Sequence, residues 1–238
     1  MPAGFSDVKL EARFSRIRTE ETNTGNLIAD LCRTEFGTDF ALTNGGNLRA
    51  NHVFEEGHLK WKFMTQILPM TDKVLMIELP GKIIRDLMEN GVSLWPSLDG
   101  RWPIVSGFKF SFDPSKPPGS RVVSLQKTNG DEILPNQIYS MAVKHFLLGG
   151  KDGYTSILDP SVKIITNVEE APTIQEIVKS WFINFGKTQP EIEGLPMKAR
   201  KIFEERLMCM GSDVNSRCPQ GKFIKIAPKI EGRIINIG

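Results

Sequence analysis

The segment Asp39-Phe40-Ala41-Leu42-Thr43 constrains this chain most. It is a short apolar run of strand length, so it reads as a buried strand. It runs straight into Asn44-Gly45-Gly46, which cannot continue a strand and must turn. Upstream, Leu27, Ile28, Leu31 and Phe36 fall near helical spacing behind the cap-rich Thr22-Asn23-Thr24-Gly25-Asn26. That predicts a helix over about 25–36. A helix followed by a buried strand and a glycine turn is the unit from which the rest must be built.

Similar units come after it. A second helix is expected from about His58-Leu59, with a start anywhere from Gly57 to Lys62, to Leu68, stopped by Pro69. Val74 to Leu79 reads as a strand, and Pro80-Gly81 opens a helix carrying Ile83, Ile84, Leu87, Met88 and Val92. Val105 to Phe112 places Phe108, Phe110 and Phe112 on one face, the period of a half-buried strand. Arg121 to Lys127 and Ile138 to Val143 suggest a hairpin around Asn129-Gly130, a strong short turn signal. Gly149-Gly150-Lys151-Asp152-Gly153 is a second glycine loop. Helices are expected at about Thr173 to Phe185 and Met197 to Met208, and one or two closing strands at Ile224 to Ile237. Helices and strands alternate with no clean linker and no internal repeat. The fold class is therefore α/β (α+β), one domain over 1–238 with a mixed sheet and flanking helices.

Composition excludes several classes. With 238 residues, 40% of them apolar, plus 21 glycines, the chain can bury a sizeable core. Lys and Arg number 30 against 28 Asp and Glu, a net charge of +2 that argues against a dedicated nucleic-acid binder. No apolar run approaches bilayer length, so no membrane segment is expected. Cys32 falls on the apolar face of the first helix and reads as a buried thiol; Cys209 and Cys218 either pair in an oxidising compartment or stay free. The N-terminus has no signal-peptide pattern. If complete, the chain is expected in the cytoplasm; if cut from a longer precursor, it is exported.

The sequence shows no catalytic or metal machinery. His52, His58 and His145 sit in no ligand spacing, and no nucleophile elbow or phosphate loop occurs. Asp30, Asp39, Asp72, Asp86 and Asp99 are scattered and read as solvated carboxylates. The two glycine loops stand out instead. Asn44-Gly45-Gly46-Asn47-Leu48-Arg49 combines a backbone that can approach a ligand, an amide and a guanidinium. His145 to Tyr154 adds the aromatic Phe146 and the carboxylate of Asp152. The plain alternative is two turns with a surface Arg, a core Phe and a turn-capping Asp. A nucleoside needs the combined set: a π face, groups for the base edge and groups for a diol.

At these residues the chain resembles the C-terminal domain of the 5'-nucleotidase family, which includes periplasmic UDP-sugar hydrolases and animal ecto-5'-nucleotidase. Arg18 to Asp30 resembles the family's opening stretch, and Asn44 to Arg49 its NGGxxR loop. Val105-Ser106-Gly107 and Pro118 to Val122 resemble two central strands. Phe146 to Tyr154 resembles the second glycine loop, and Pro228 to Arg233 the closing strand. The resemblance covers essentially the whole chain, with 187–222 matching poorly.

The resemblance implies a substrate-binding domain with nucleotide catabolism as its setting. An N-terminal metallophosphatase domain with two divalent metal ions, absent here, would do the hydrolysis. This chain alone would hold no catalytic residue, metal or cofactor and would be inactive. Phe146 would stack on the base, Asp152 would accept from ribose hydroxyls, and Asn44 would bond a base edge. Gly46 would lie beside the ligand, while Arg18 and Arg49 would hold ribose or phosphate. Met70 stands after Leu68-Pro69 where the family usually has a second aromatic, and Lys151 replaces a loop glycine. Expected partners are a nucleoside or nucleotide and the metallophosphatase domain. A homodimer is left open. A non-catalytic interaction or dimerisation module with a degenerate pocket is the other reading.

Overall fold

The structure, a computed structural model, describes residues 2–184 and 225–238. In order, the chain runs β1 (Pro2–Ser6), β2 (Leu10–Glu11), α1 (Phe14–Ile17), α2 (Asn23–Phe36), β3 (Phe40–Asn44), β4 (Val53–Phe54) and β5 (Gly57–Lys60). Next come α3 (Lys62–Ile67), β6 (Val74–Pro80), α4 (Gly81–Val92), β7 (Pro103–Ser106), β8 (Phe108–Phe112), β9 (Val122–Lys127), β10 (Ile138–Lys144) and α5 (His145–Leu148). β11 (Lys163–Ile164), α6 (Ile174–Asn184), β12 (Lys225–Ile226) and β13 (Ile234–Asn236) complete the described elements.

A five-stranded mixed sheet in the order β11-β6-β10-β3-β7 forms the centre. β3 runs parallel to β10 and antiparallel to β7. Both faces of β3 are buried, and its side chains divide by size. Phe40 and Leu42 join Met141, Val143 and Ile77 in one core, closed by α4 and by Phe108, Phe110 and Phe112 of β8. Ala41 faces the other way with Ala142, its partner in the β3–β10 register. These small residues leave room for α2, which packs Leu27, Ile28 and Leu31 into the second core. Thr22 caps α2 by accepting from the Gly25 N–H at 3.2 Å, and Gly37 ends it in the left-handed conformation. Cys32 is buried as expected, and burial pushes its thiol pKa up to about 12.

Four expectations need correction. The segment His58-Leu59-Lys60 is strand, not helix: only Leu59 is buried, and β5 pairs antiparallel with β1. Val105 to Phe112 is not one strand. Gly107 sits at φ +85°, where a Cβ would lie 2.1 Å from the Asp39 carbonyl oxygen, and the chain bends there into a second sheet, β13-β8-β9. The hairpin around Asn129-Gly130 does not form between β9 and β10. The turn exists, but β9 pairs with β8, while β10 pairs with β3 and β6. The intervening segment is held at the start of α4, where the Gly81 and Lys82 N–H groups donate to Gln137 and Pro135. Finally, 228–233 leads into the closing strand, which is Ile234–Asn236.

The expected helix Met197 to Met208, the segment 187–222, and Cys209 and Cys218 lie outside the described residues. Among the described residues no helix is long and apolar enough to cross a membrane.

Candidate functional site

β3 ends where its sequence says it must, and the turn after it is built by close backbone contact. The Gly45 N–H donates to the Trp102 carbonyl at 2.8 Å, and the Gly46 N–H to the Gly100 carbonyl at 2.9 Å. A Cβ on Gly45 would lie 2.5 Å from the Ile17 carbonyl oxygen, and one on Gly46 3.1 Å from the Gly100 Cα. Gly46 lines the cleft, but the tight approach that requires a glycine there is to Gly100. Asn44, 1% exposed, donates from Nδ2 to the Gly100 carbonyl at 2.8 Å and to Asp152 Oδ2 at 2.6 Å. Those two acceptors fix its amide, leaving Oδ1 buried with no described partner.

Asp152 arrives from the second glycine loop. Gly150 at φ +69° and Asp152 at φ +52° both adopt left-handed backbone. The turn is pinned by Asn90 Nδ2, which donates to the Asp152 carbonyl at 3.0 Å, and by the Tyr154 hydroxyl, which donates to the Arg101 carbonyl at 2.6 Å. Tyr154 is fully buried, and burial, with the Asp152 charge, pushes its hydroxyl pKa upward. The two loops therefore meet through the Asn44–Asp152 bond, 108 residues apart in sequence.

Arg18 follows α1. The Trp95 and Trp102 indoles donate to the carbonyls of Thr19 and Glu20, each at 3.0 Å, and so dock its segment. Arg18 Nη1 donates to the Leu98 carbonyl at 2.9 Å, and its guanidinium lies 4.4 Å from the Phe14 ring centroid. Arg49 lies over the same ring at 5.9 Å. Burial lowers the Arg18 pKa, and the neighbouring Arg49 charge lowers it further, against Asp99 and Asp152. Arg18 Nε is buried with no described partner. Two cations held this close, with an unmet donor, suit an anion or an oxygen-rich ligand.

All seven residues singled out from the sequence, Arg18, Asn44, Gly46, Arg49, Met70, Phe146 and Asp152, line one cleft of about 410 Å³. Sequence reasoning missed three more, Asp72, Gly100 and Lys144. Asp72 is no solvated carboxylate: its Oδ2 lies 2.9 Å from Lys144 Nζ. Asp30 is also ion-paired, with Arg233, and is buried as well. Lys144 and Phe146 flank His145 across the β10–α5 junction, a local signal that was there to be read. Lys151 is exposed and is not among the lining residues. Met70 stands 46% exposed at the rim. Among the described residues no group of three His, Cys, Asp or Glu side chains is placed to hold a metal ion.

Residues 2–159 match the family model described as 5'-nucleotidase, C-terminal domain. The trifunctional nucleotide phosphoesterase protein YfkN of Bacillus subtilis (strain 168) is 28% identical over 239 residues, 97% of this chain and 13% of its own length. Endonuclease YhcR of the same organism is 30% identical over 181 residues, 75% of this chain and 14% of its own length. Among solved structures, a 5'-nucleotidase precursor from Thermus thermophilus superposes with a TM-score of 0.75 at 24% identity. That superposition covers 100% of this chain and 39% of the other. The chain spans well under half the length of these relatives.

Proposed function

We propose, from the premise that this chain belongs to the family of 5'-nucleotidase C-terminal domains, that it is the substrate-binding part of a nucleotide phosphohydrolase. The observation that carries this reading is the shared cleft. Groups for stacking, for a diol and for an anion converge there from five separate segments of the chain.

Phe146 offers a ring face to the base, and the Met70 thioether packs against the other side with less energy than a second ring would give. Asp152 accepts from ribose hydroxyls; its turn is held by Asn90 and Tyr154, so the carboxylate is positioned before the ligand arrives. Asn44, already bound to Asp152, offers Oδ1 to an N–H or O–H donor. Arg18 and Arg49 attract the phosphate. The chain's contribution to hydrolysis is to hold that phosphate for attack, which is an entropic one. Hydrolysis itself belongs to a further N-terminal metallophosphatase domain, whose two divalent ions would activate water and stabilise developing charge. This chain alone is inactive in that reading.

Adenosine and AMP titrations test it, followed by amide chemical shifts and melting temperature. Saturable shifts in both are expected, because a ligand bound only by the folded state raises its stability. Phe146→Ala and Asp152→Ala should each weaken them. No response at millimolar ligand sinks the proposal. Equal binding by both variants and the parent would favour an interaction module with a degenerate pocket, the reading to which the exposed Met70 lends weight.

A further inference from the structure

Lys144 is the last residue of β10 and is only 4% exposed, yet it carries a charge. Its Nζ lies 2.9 Å from Asp72 Oδ2 and 4.6 Å from the centroid of the Phe146 ring. The Asp72 side chain keeps 30% exposure, and both residues line the cleft beside Phe146 and Met70. Main-chain bonds set the pair. The His145 N–H donates to the Lys73 carbonyl at 2.8 Å, and the Ile174 N–H to the Asp72 carbonyl at 3.0 Å. The β6–β10 register places Lys144 opposite Val74.

Burying the ammonium end of an ion pair is costly, and an apolar side chain of similar volume often fills such a site equally well. The pair is also not closed on itself. An ammonium has three donors; Asp72 takes one, and the ring face of Phe146 attracts another. Asp72 commits Oδ2 to Lys144, and no hydrogen bond among the described residues engages its Oδ1. A donor and an acceptor therefore stand side by side next to the stacking ring.

We infer that Lys144 and Asp72 read the edge of the base. Lys144 donates to a ring nitrogen or carbonyl oxygen of the ligand, and Asp72 accepts from the adjacent amino or imino N–H. The ligand class is a nucleoside or nucleotide whose base presents an acceptor next to a donor, as adenine and hypoxanthine do. A bare purine ring has acceptors but no such donor. This inference rests on the nucleoside cleft proposed above and adds to it the selection among bases.

The test uses the 238-residue chain and calorimetric titration with adenosine, inosine and purine riboside. Adenosine and inosine should each bind about tenfold tighter than purine riboside, the low end of what one paired base-edge contact discriminates. The double variant Lys144→Met/Asp72→Leu, charge-free and of similar volume, should lose that preference, binding all three ligands with similar affinity. Asp72→Asn serves as a second variant and should reduce the preference. Equal binding of all three ligands by the parent, or a preference that survives in the double variant, overturns the inference. If none of the three binds, the nucleoside reading fails with it, a result distinct from binding without discrimination.

Discussion

Two regions of this molecule use the same side-chain chemistry to opposite ends. Around Arg233, Asp30 accepts a bidentate contact at 2.7 and 2.8 Å, and Ser106 Oγ donates to the same carboxylate at 2.6 Å. Glu231 takes the other side of the guanidinium. Glu21 accepts from the main-chain N–H groups of Glu231 and Arg233 at 2.7 and 2.6 Å, and from Asn26. This cluster ties the segment leading into the last described strand to α2 and leaves its polar groups hydrogen-bonded. Burial alone would lower the Arg233 pKa, but the bonds and charges of Asp30 and Glu231 outweigh it and raise it. In the cleft, by contrast, Arg18 and Arg49 face each other, and Asn44 Oδ1 and Arg18 Nε lack described partners. Matched polar groups hold a fold together; unmatched ones in a hollow are candidates for contact with a ligand.

Breaking the matched cluster should have the largest effect. Arg233→Met strands the Asp30 carboxylate, which is only 7% exposed, and should cost about 3–5 kcal/mol in urea unfolding. Adding Asp30→Leu should recover most of that loss. A loss below about 1 kcal/mol would put the cluster in the same class as the cleft.

Asp152→Asn should do the reverse. Asn tolerates left-handed backbone, so the unfolding free energy should change by no more than about 1 kcal/mol. Adenosine affinity should fall roughly tenfold to a hundredfold, the worth of a hydrogen bond to a charged group. Calorimetry and urea titration on the same sample separate the two. A large stability loss with intact binding would make Asp152 a turn residue and nothing more.

The sequence carried the local half of this contrast and not the long-range half. Asn44-Gly45-Gly46 announces a strand cut short, and the chain turns at that point. The gathering of Phe146 and Asp152 against it came from the likeness to a known family, because a contact spanning 108 residues leaves no periodic trace. Errors arose where partner choice, not propensity, decides. Asn129-Gly130 is a sound turn, yet the strands beside it pair elsewhere. Asp30 and Asp72 read as solvated because their cations, Arg233 and Lys144, lie 203 and 72 residues away. Gly107 hid a change of sheet just ahead of the alternating phenylalanines Phe108, Phe110 and Phe112.

Arg49→Met sharpens the contrast at smaller amplitude. Removing one of two facing cations relieves repulsion on Arg18, so stability should stay within about 0.5 kcal/mol of the parent. AMP should lose affinity relative to adenosine, and its binding should become less sensitive to salt, because a screened attraction has been removed. An arginine whose loss lowers stability as Arg233 does would contradict the division drawn here.

The smallest effect is a pH dependence at the cleft's border. Asp99 precedes Gly100, the residue whose carbonyl holds both Asn44 and Gly46. Burial opposes ionisation of Asp99. The Arg101 main-chain N–H and guanidinium bond its Oδ1, and with the charge of Arg18 they hold its pKa below the usual value. A depressed folded value means the contribution is complete above the unfolded carboxylate pKa of about 3.9 and disappears as pH falls through the folded value. Asp99→Asn should therefore lie slightly below the parent in stability from about pH 5 to 7, and the two curves should converge in acid. Curves that stay parallel down to about pH 2 would show that the loop owes nothing to this charge. The cleft's rigid border would then rest on its backbone bonds alone, as the glycine contacts at Gly45 and Gly46 already suggest.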